Sequence, residues 1–95
     1  MAAYIVFIKE REHDAGAMAT YAGMAGPSMA GHNVKPLVVY GAIETLEGPE
    51  AAGSVIVEFP TMEEARAWYN SDAYQEARKV RFSAADYRVF LTQGL

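Results

Sequence analysis

The chain reads as an α+β protein of the ferredoxin-like kind, β-α-β-β-α-β, with a four-stranded antiparallel sheet. Three observations predict this. Segments rich in β-branched and aromatic residues recur as AYIVFIKE (3–10), LVVY (37–40), SVIVEFP (54–60) and DYRVFLT (86–92). Stretches with helical spacing fall between the first and second and between the third and fourth. Turn residues fill the rest, and no repeat or low-complexity run intervenes.

The first strand, residues 3–10, has apolar residues on both faces and ends at EREHDAG. Asp14 suits the N-cap of a helix starting at Ala15. Met18, Tyr21, Ala22, Ala25 and Met29 then recur at steps of three and four. Gly26-Pro27 predicts a kink or break, with Pro27 opening a last turn and Gly31 closing it in the left-handed region. Leu37 to Tyr40 form the second strand, and Gly41 marks a bulge or close backbone approach. GPEAAG (48–53) is turn chemistry, so a short loop should join strands two and three as an antiparallel hairpin. Pro60 stops the third strand.

Thr61 and Glu64 form a capping box. The helix they open carries Ala65, Trp68 and Tyr69 on one face. Ser71 caps a second short helix, with Tyr74, Ala77, Arg78 and Arg81 along one side. Residues 86–92 close the sheet.

At 95 residues the chain is one small domain, residues 1–95, with a thin core. Its apolar content of 52% exceeds what such a core absorbs. The strands say where the surplus lies. Tyr4, Val6 and Ile8 oppose Ala3, Ile5 and Phe7, and Ile56 opposes Val55 and Val57. Two helices cover one sheet face only. A homodimer through the helix-free face is therefore expected. A net charge of -4 without a basic stripe argues against nucleic acid as partner. The absence of cysteine excludes disulfides, zinc-thiolate sites and thiol catalysis. MAAYIVFIKERE has its charges after the apolar run, the reverse of a secretory leader, and no segment is long enough to span a bilayer. No membrane partner is expected, and the expected location is cytoplasmic.

Three pieces carry a family likeness: GAIETLEG (41–48), VIVEFPTMEEARAWYNSDAYQEAR (55–78) and ADYRVFLTQG (85–94). They resemble domain-of-unknown-function family 1330, over nearly the whole chain. The most specific part is Glu58-Phe59-Pro60 followed by residues Ala67 to Ala77. The resemblance implies a dimeric α/β barrel and no particular activity. Superfamily relatives include cofactor-free monooxygenases, isomerases, cyclases and haem-binding enzymes, with ligands between sheet and helices. That is an analogy of fold. Many family members read leucine-valine-arginine-glycine-glycine in the second strand. Here Tyr40 takes the arginine position, so no anion-binding role for that arginine carries over.

Candidate site residues each admit a functional and a structural reading. His32, after the first helix, is a possible general base or a surface loop residue. Arg81 could hold a carboxylate or enolate, or pair structurally, and Arg78 reads as structural. Glu58 is either paired across the dimer, Arg88 being the first partner to test, or left poised as a base. Trp68 and Tyr69 either line a pocket or fill the core. Tyr21 and Tyr40 are tyrosines whose hydroxyls need partners and could present them to a ligand. Met18, Met24 and Met29 would give an adaptable apolar lining. His13, Asp14 and His32 lack metal-ligand spacing, and no phosphate loop or nucleophile–base pair occurs, so no metal and no cofactor is expected. The expected function is binding of a small apolar or aromatic carbonyl molecule between sheet and helices, with cofactor-independent catalysis as an extension. The alternative is a dimeric module without chemistry.

Overall fold

A computed structural model describes residues 1–95. The elements are β1 (Ala3–Glu12), α1 (Ala15–Ser28), β2 (Lys35–Val39), β3 (Gly53–Phe59), α2 (Met62–Tyr69), α3 (Asp72–Ala84) and β4 (Ala85–Gln93). The sheet order is β2-β3-β1-β4, antiparallel throughout. This is the ferredoxin-like arrangement, its second crossover split into two helices.

The helix starts follow local chemistry. Asp14 Oδ1 accepts from the Ala17 N–H at 3.0 Å, Thr61 Oγ1 from Glu64 at 3.1 Å, and Ser71 Oγ from Tyr74 at 3.3 Å. The break expected at Gly26-Pro27 does not occur. α1 runs through Pro27 to Ser28. Pro27 lies in the last turn, where Met29 N–H closes onto Gly26 C=O at 3.1 Å and Ala30 N–H onto Pro27 C=O at 3.1 Å. Gly31 follows at φ +80°, as expected of the residue that turns the chain away.

The β2–β3 connection also departs from expectation. The strands pair, but an irregular arm from residue 40 to 52 joins them instead of a short loop. Pairing shifts between Pro36 and Val38, leaving Leu37 in a bulge. The arm is tied down by Ala51 N–H to Thr45 Oγ1 at 3.0 Å and by Ala52 N–H to Lys9 C=O at 2.7 Å.

Alternation along the strands places the core. Ala3, Ile5, Phe7, Val57 and Phe59 are buried beneath the helices, against Ala65 and Trp68 of α2, Tyr74 and Ala77 of α3, and Tyr21 of α1. Trp68 is the hub. Its ring centroid lies 4.2 Å from Tyr74 and 5.7 Å from Phe59. The opposite face carries Tyr4, Val6, Ile8, Ile56 and Phe90, half-buried or exposed, with no helix over it and only the arm beside its Ile8 end. The backbone of α1 makes its close contacts with α3, not with the sheet. That stand-off leaves room between α1 and the sheet.

Candidate functional site

A cavity of about 270 Å³ occupies that room. Phe7, Val55 and Val57 line it from the sheet. Met18, Tyr21, Ala22, Ala25 and Met29 line it from α1. Trp68 lines it from α2, and Pro36, Val39 and Tyr40 from the β2 end. The small residues of α1 make the space, because Ala22, Ala25 and Gly26 face it where larger side chains would fill it. Trp68 is fixed by its Nε1–H, which donates to Ser28 Oγ at 3.1 Å. Ser28 in turn donates to Ala25 C=O at 2.5 Å.

The polar end is built from tyrosines in pairs. Tyr21 and Tyr74 hydroxyls lie 2.9 Å apart. Tyr40 and Tyr87 hydroxyls are also hydrogen-bonded. Tyr21 and Tyr40 face the cavity, and Tyr74 and Tyr87 stand behind them. Tyr40 reaches across the sheet to do this. It follows β2 at φ +52°, a left-handed backbone that a tyrosine adopts at a cost. Its ring lies against Gly53, where an added Cβ would come within 2.9 Å of Tyr40 Cδ1. Lys9 Nζ sits 5.1 Å from the Tyr40 ring centroid. Gly53, Lys9 and Tyr87 form one row across the sheet, which the ring spans.

Arg81 lies among these rings, 2% exposed. Its guanidinium carbon is 5.0 Å from the Tyr87 ring centroid, 5.8 Å from Phe7 and 5.9 Å from Tyr21. Its Nε has no hydrogen-bond partner, and none of the chain's ion pairs includes it. Burial pushes the phenols of Tyr21, Tyr74 and Tyr87 above their ordinary range, while the Arg81 charge pulls each of them back in part.

Of the expected site residues, Tyr21, Tyr40 and Trp68 come together at the cavity, with Arg81 behind. Three others do not. His32 is half-buried in the turn after α1 and does not line the cavity, because α1 ends at Ser28 and Gly31 turns the chain away. Tyr69 faces a different groove with Ile5, Val89 and Leu91, and its hydroxyl accepts from Arg78 Nε at 2.9 Å. One residue along a helix is about 100° of rotation, so Trp68 and Tyr69 flank the Tyr74 ring but meet different spaces. Glu58 lies on the helix-free face between Tyr4 and Lys35. Within the chain Arg88 approaches Glu10 at 3.6 Å, not Glu58. Met18 and Met29 line the cavity and Met24 does not. Tyr74 and Tyr87 join the site as hydroxyl partners of Tyr21 and Tyr40, a role outside the sequence-based candidates. Tyr87 shares the helix-facing side of β4 with Val89 and Leu91, and a hydroxyl on that side needs a partner.

A wider groove of about 420 Å³ lies between the arm and the helix-free face, lined by Ile8, Glu10, Glu44, Glu47, Glu50 and Arg88 among others. It is open to solvent, and its carboxylates do not converge. No group of three His, Asp or Glu side chains is placed to hold a metal ion, and no helix is long and apolar enough to cross a membrane.

A ferredoxin-like sheet with a cavity under one helix defines the class of fold. The chain belongs to the family described as a domain of unknown function, DUF1330, whose model matches residues 2–95. No curated protein matches the chain. Solved structures do. A protein of unknown function from Rhodopseudomonas palustris is 23% identical with a TM-score of 0.76, covering 99% of this chain and 82% of that one. A dimeric ferredoxin-like protein of unknown function from Jannaschia sp. CCS1 is 14% identical with a TM-score of 0.69, covering 99% and 100%. SnoaB, a cofactor-independent oxygenase from Streptomyces nogalater, is 7% identical with a TM-score of 0.59, covering 99% and 92%. At these identities the likeness is one of fold.

Proposed function

We propose that this protein binds a small apolar or aromatic molecule in the cavity between α1 and the sheet, as a homodimer joined through its helix-free face. One observation carries the reading. The cavity of about 270 Å³ is apolar except where the Tyr21 and Tyr40 side chains meet it. Such a lining buries a ring and leaves polar groups to orient a carbonyl or hydroxyl. Cofactor-independent catalysis is the extension of this reading, and SnoaB is a precedent for it in a similar fold. The dimer rests on the apolar residues of the uncovered face and on neighbours described as dimeric.

The competing reading is a dimeric module without a ligand. It draws on the same tyrosines, whose hydroxyls already satisfy each other in pairs. The two readings separate in one titration. Trp68 is the only tryptophan and lines the cavity, so its fluorescence reports occupancy there. A small aromatic ketone such as acetophenone should quench it saturably in the wild type. Ala25→Phe, which fills the cavity, should abolish the saturable part. Quenching that is linear and identical in both proteins would favour the module.

A further inference from the structure

Arg81 presents an imbalance that the apolar cavity does not explain. A guanidinium taken out of water needs a compensating charge or a full set of acceptors. Arg81 has no carboxylate partner and an unpartnered Nε. Ring faces of Phe7, Tyr21, Phe82 and Tyr87 stand around it and return part of the lost hydration. They carry no net charge. No Asp or Glu lines the adjoining cavity. Lys9, the cation beside the Tyr40 ring, is already paired with Glu12 at 3.0 Å.

Resting on the small-molecule reading above, we propose that the ligand is a phenol or enol bound as its anion. Its oxygen accepts from the cavity-facing hydroxyls of Tyr21 and Tyr40, with Arg81 as the positive charge behind them. Arg81 is not itself a lining residue, so it offers no two-pronged fork to a carboxylate. What faces the ligand is a pair of single O–H donors, which suits one oxygen that carries charge. Tyr74 and Tyr87 hold those donors in place from behind. Tyr69 also packs on Tyr74, with ring centroids 5.3 Å apart, but its hydroxyl is engaged by Arg78. Tyr21 remains a proton donor because burial pushes its phenol upward, as it does those of Tyr74 and Tyr87 behind the pair. The ligand is therefore the group that ionises. Arg81 is a positioning and charge-supplying residue, acting on the ligand through Tyr21 and Tyr87.

The test uses 4-nitrophenol, whose colour reports its ionisation, and its uncharged methyl ether, 4-nitroanisole. Bound to the wild type, the nitrophenol should ionise about 1–3 pH units lower than when free, as an opposite charge nearby dictates. Tyr21→Phe should return that midpoint toward the free value while 4-nitroanisole still binds. Arg81→Met should do the same, and Tyr21→Phe decides the matter if Arg81→Met does not fold. A merely structural Arg81 would leave the probe's ionisation unchanged in a folded variant. If 4-nitroanisole binds and the nitrophenol midpoint does not move, the anion site is overturned and the cavity reading stands. If neither probe binds, both fall. Tighter binding of 4-nitrobenzoate than of the phenolate would overturn the phenol or enol assignment.

Discussion

Tyr21 of α1 and Tyr74 of α3 join hydroxyl to hydroxyl at 2.9 Å, and their rings meet edge to face, 6.4 Å apart at 74°. Both side chains are buried, Tyr74 completely. The pair ties α1 to α3 beside a cavity that otherwise separates α1 from the sheet. Removing one hydroxyl leaves the other without its partner in apolar surroundings, at a cost of about 1–3 kcal/mol. Removing both leaves no orphan. Tyr21→Phe and Tyr74→Phe should therefore each lower the urea midpoint, and the double variant should lose less than the two singles added together. Additive losses would show that each hydroxyl finds another partner when the first is gone.

The same burial sets a pH dependence. Tyr21 and Tyr74 have phenols raised above the ordinary value of about 10. The folded state thus keeps protons that the unfolded chain releases. Their contribution is complete below about pH 10 and is lost as pH rises beyond it, by up to about 1.4 kcal/mol per pH unit for each. Unfolding free energy measured in urea from about pH 8 to pH 11 should fall steeply only in the upper part. Tyrosinate absorbance from these two should appear together with unfolding. The double phenylalanine variant should flatten the fall, and an unchanged slope would contradict the assignment.

What the sequence made legible was local. Asp14, Thr61 and Ser71 cap their helices because an acceptor two or three residues before a free N–H needs no other part of the fold. The alternation in β1 and β3 separated the two sheet faces for the same reason. The candidate site was less legible, because it depends on which strands become neighbours. The contact of Tyr40 with Tyr87 spans 47 positions and crosses the row formed by Gly53, Lys9 and Tyr87. No spacing rule predicts it. Arg81 was visible as a cation on a helix face, but its lack of a carboxylate emerges only when every neighbour is in place. His32 was suggested by its residue type alone, and the turn at Gly31 takes it away from the cavity.

The helix-free face yields a test of assembly. Val6 lies at its centre, opposite Ile56 on one side and Phe90 on the other. Phe90 is 47% exposed. A lysine at position 6 or a glutamate at position 90 would place a charge in the middle of the proposed dimer contact without touching the core on the other face. Val6→Lys and Phe90→Glu should elute as monomers at micromolar concentration where the wild type elutes as a dimer. Their circular dichroism should remain that of the folded chain. A wild type that elutes as a monomer, or variants that stay dimeric, would place the interface elsewhere or remove it.

Access to the β2 end of the cavity turns on Tyr40 and Gly53. A tyrosine at φ +52° holds about 1–2 kcal/mol of backbone strain. The strain is offset by the ring's seat on Gly53 and the hydroxyl contact with Tyr87. A methyl group at Gly53 would come within 2.9 Å of Tyr40 Cδ1, closer than packed carbons allow. Gly53 is paired with Lys9 of β1 and its neighbour Ser54 accepts from Tyr40 N–H at 2.8 Å, so the ring must yield before the backbone does. Gly53→Ala should therefore lift Tyr40 off Tyr87 and uncover the β2 end of the cavity. Acrylamide should then quench Trp68 more strongly than in the wild type, and stability should fall by about 0.5–1.5 kcal/mol for the lost hydroxyl contact, since the Tyr40 backbone stays held by its N–H to Ser54 C=O. Tyr40→Gly should have the same effect on quenching by a different route, removing both the ring and the unfavourable φ. If quenching is unchanged in both folded variants, the ring does not cover the cavity and ligands enter by another path.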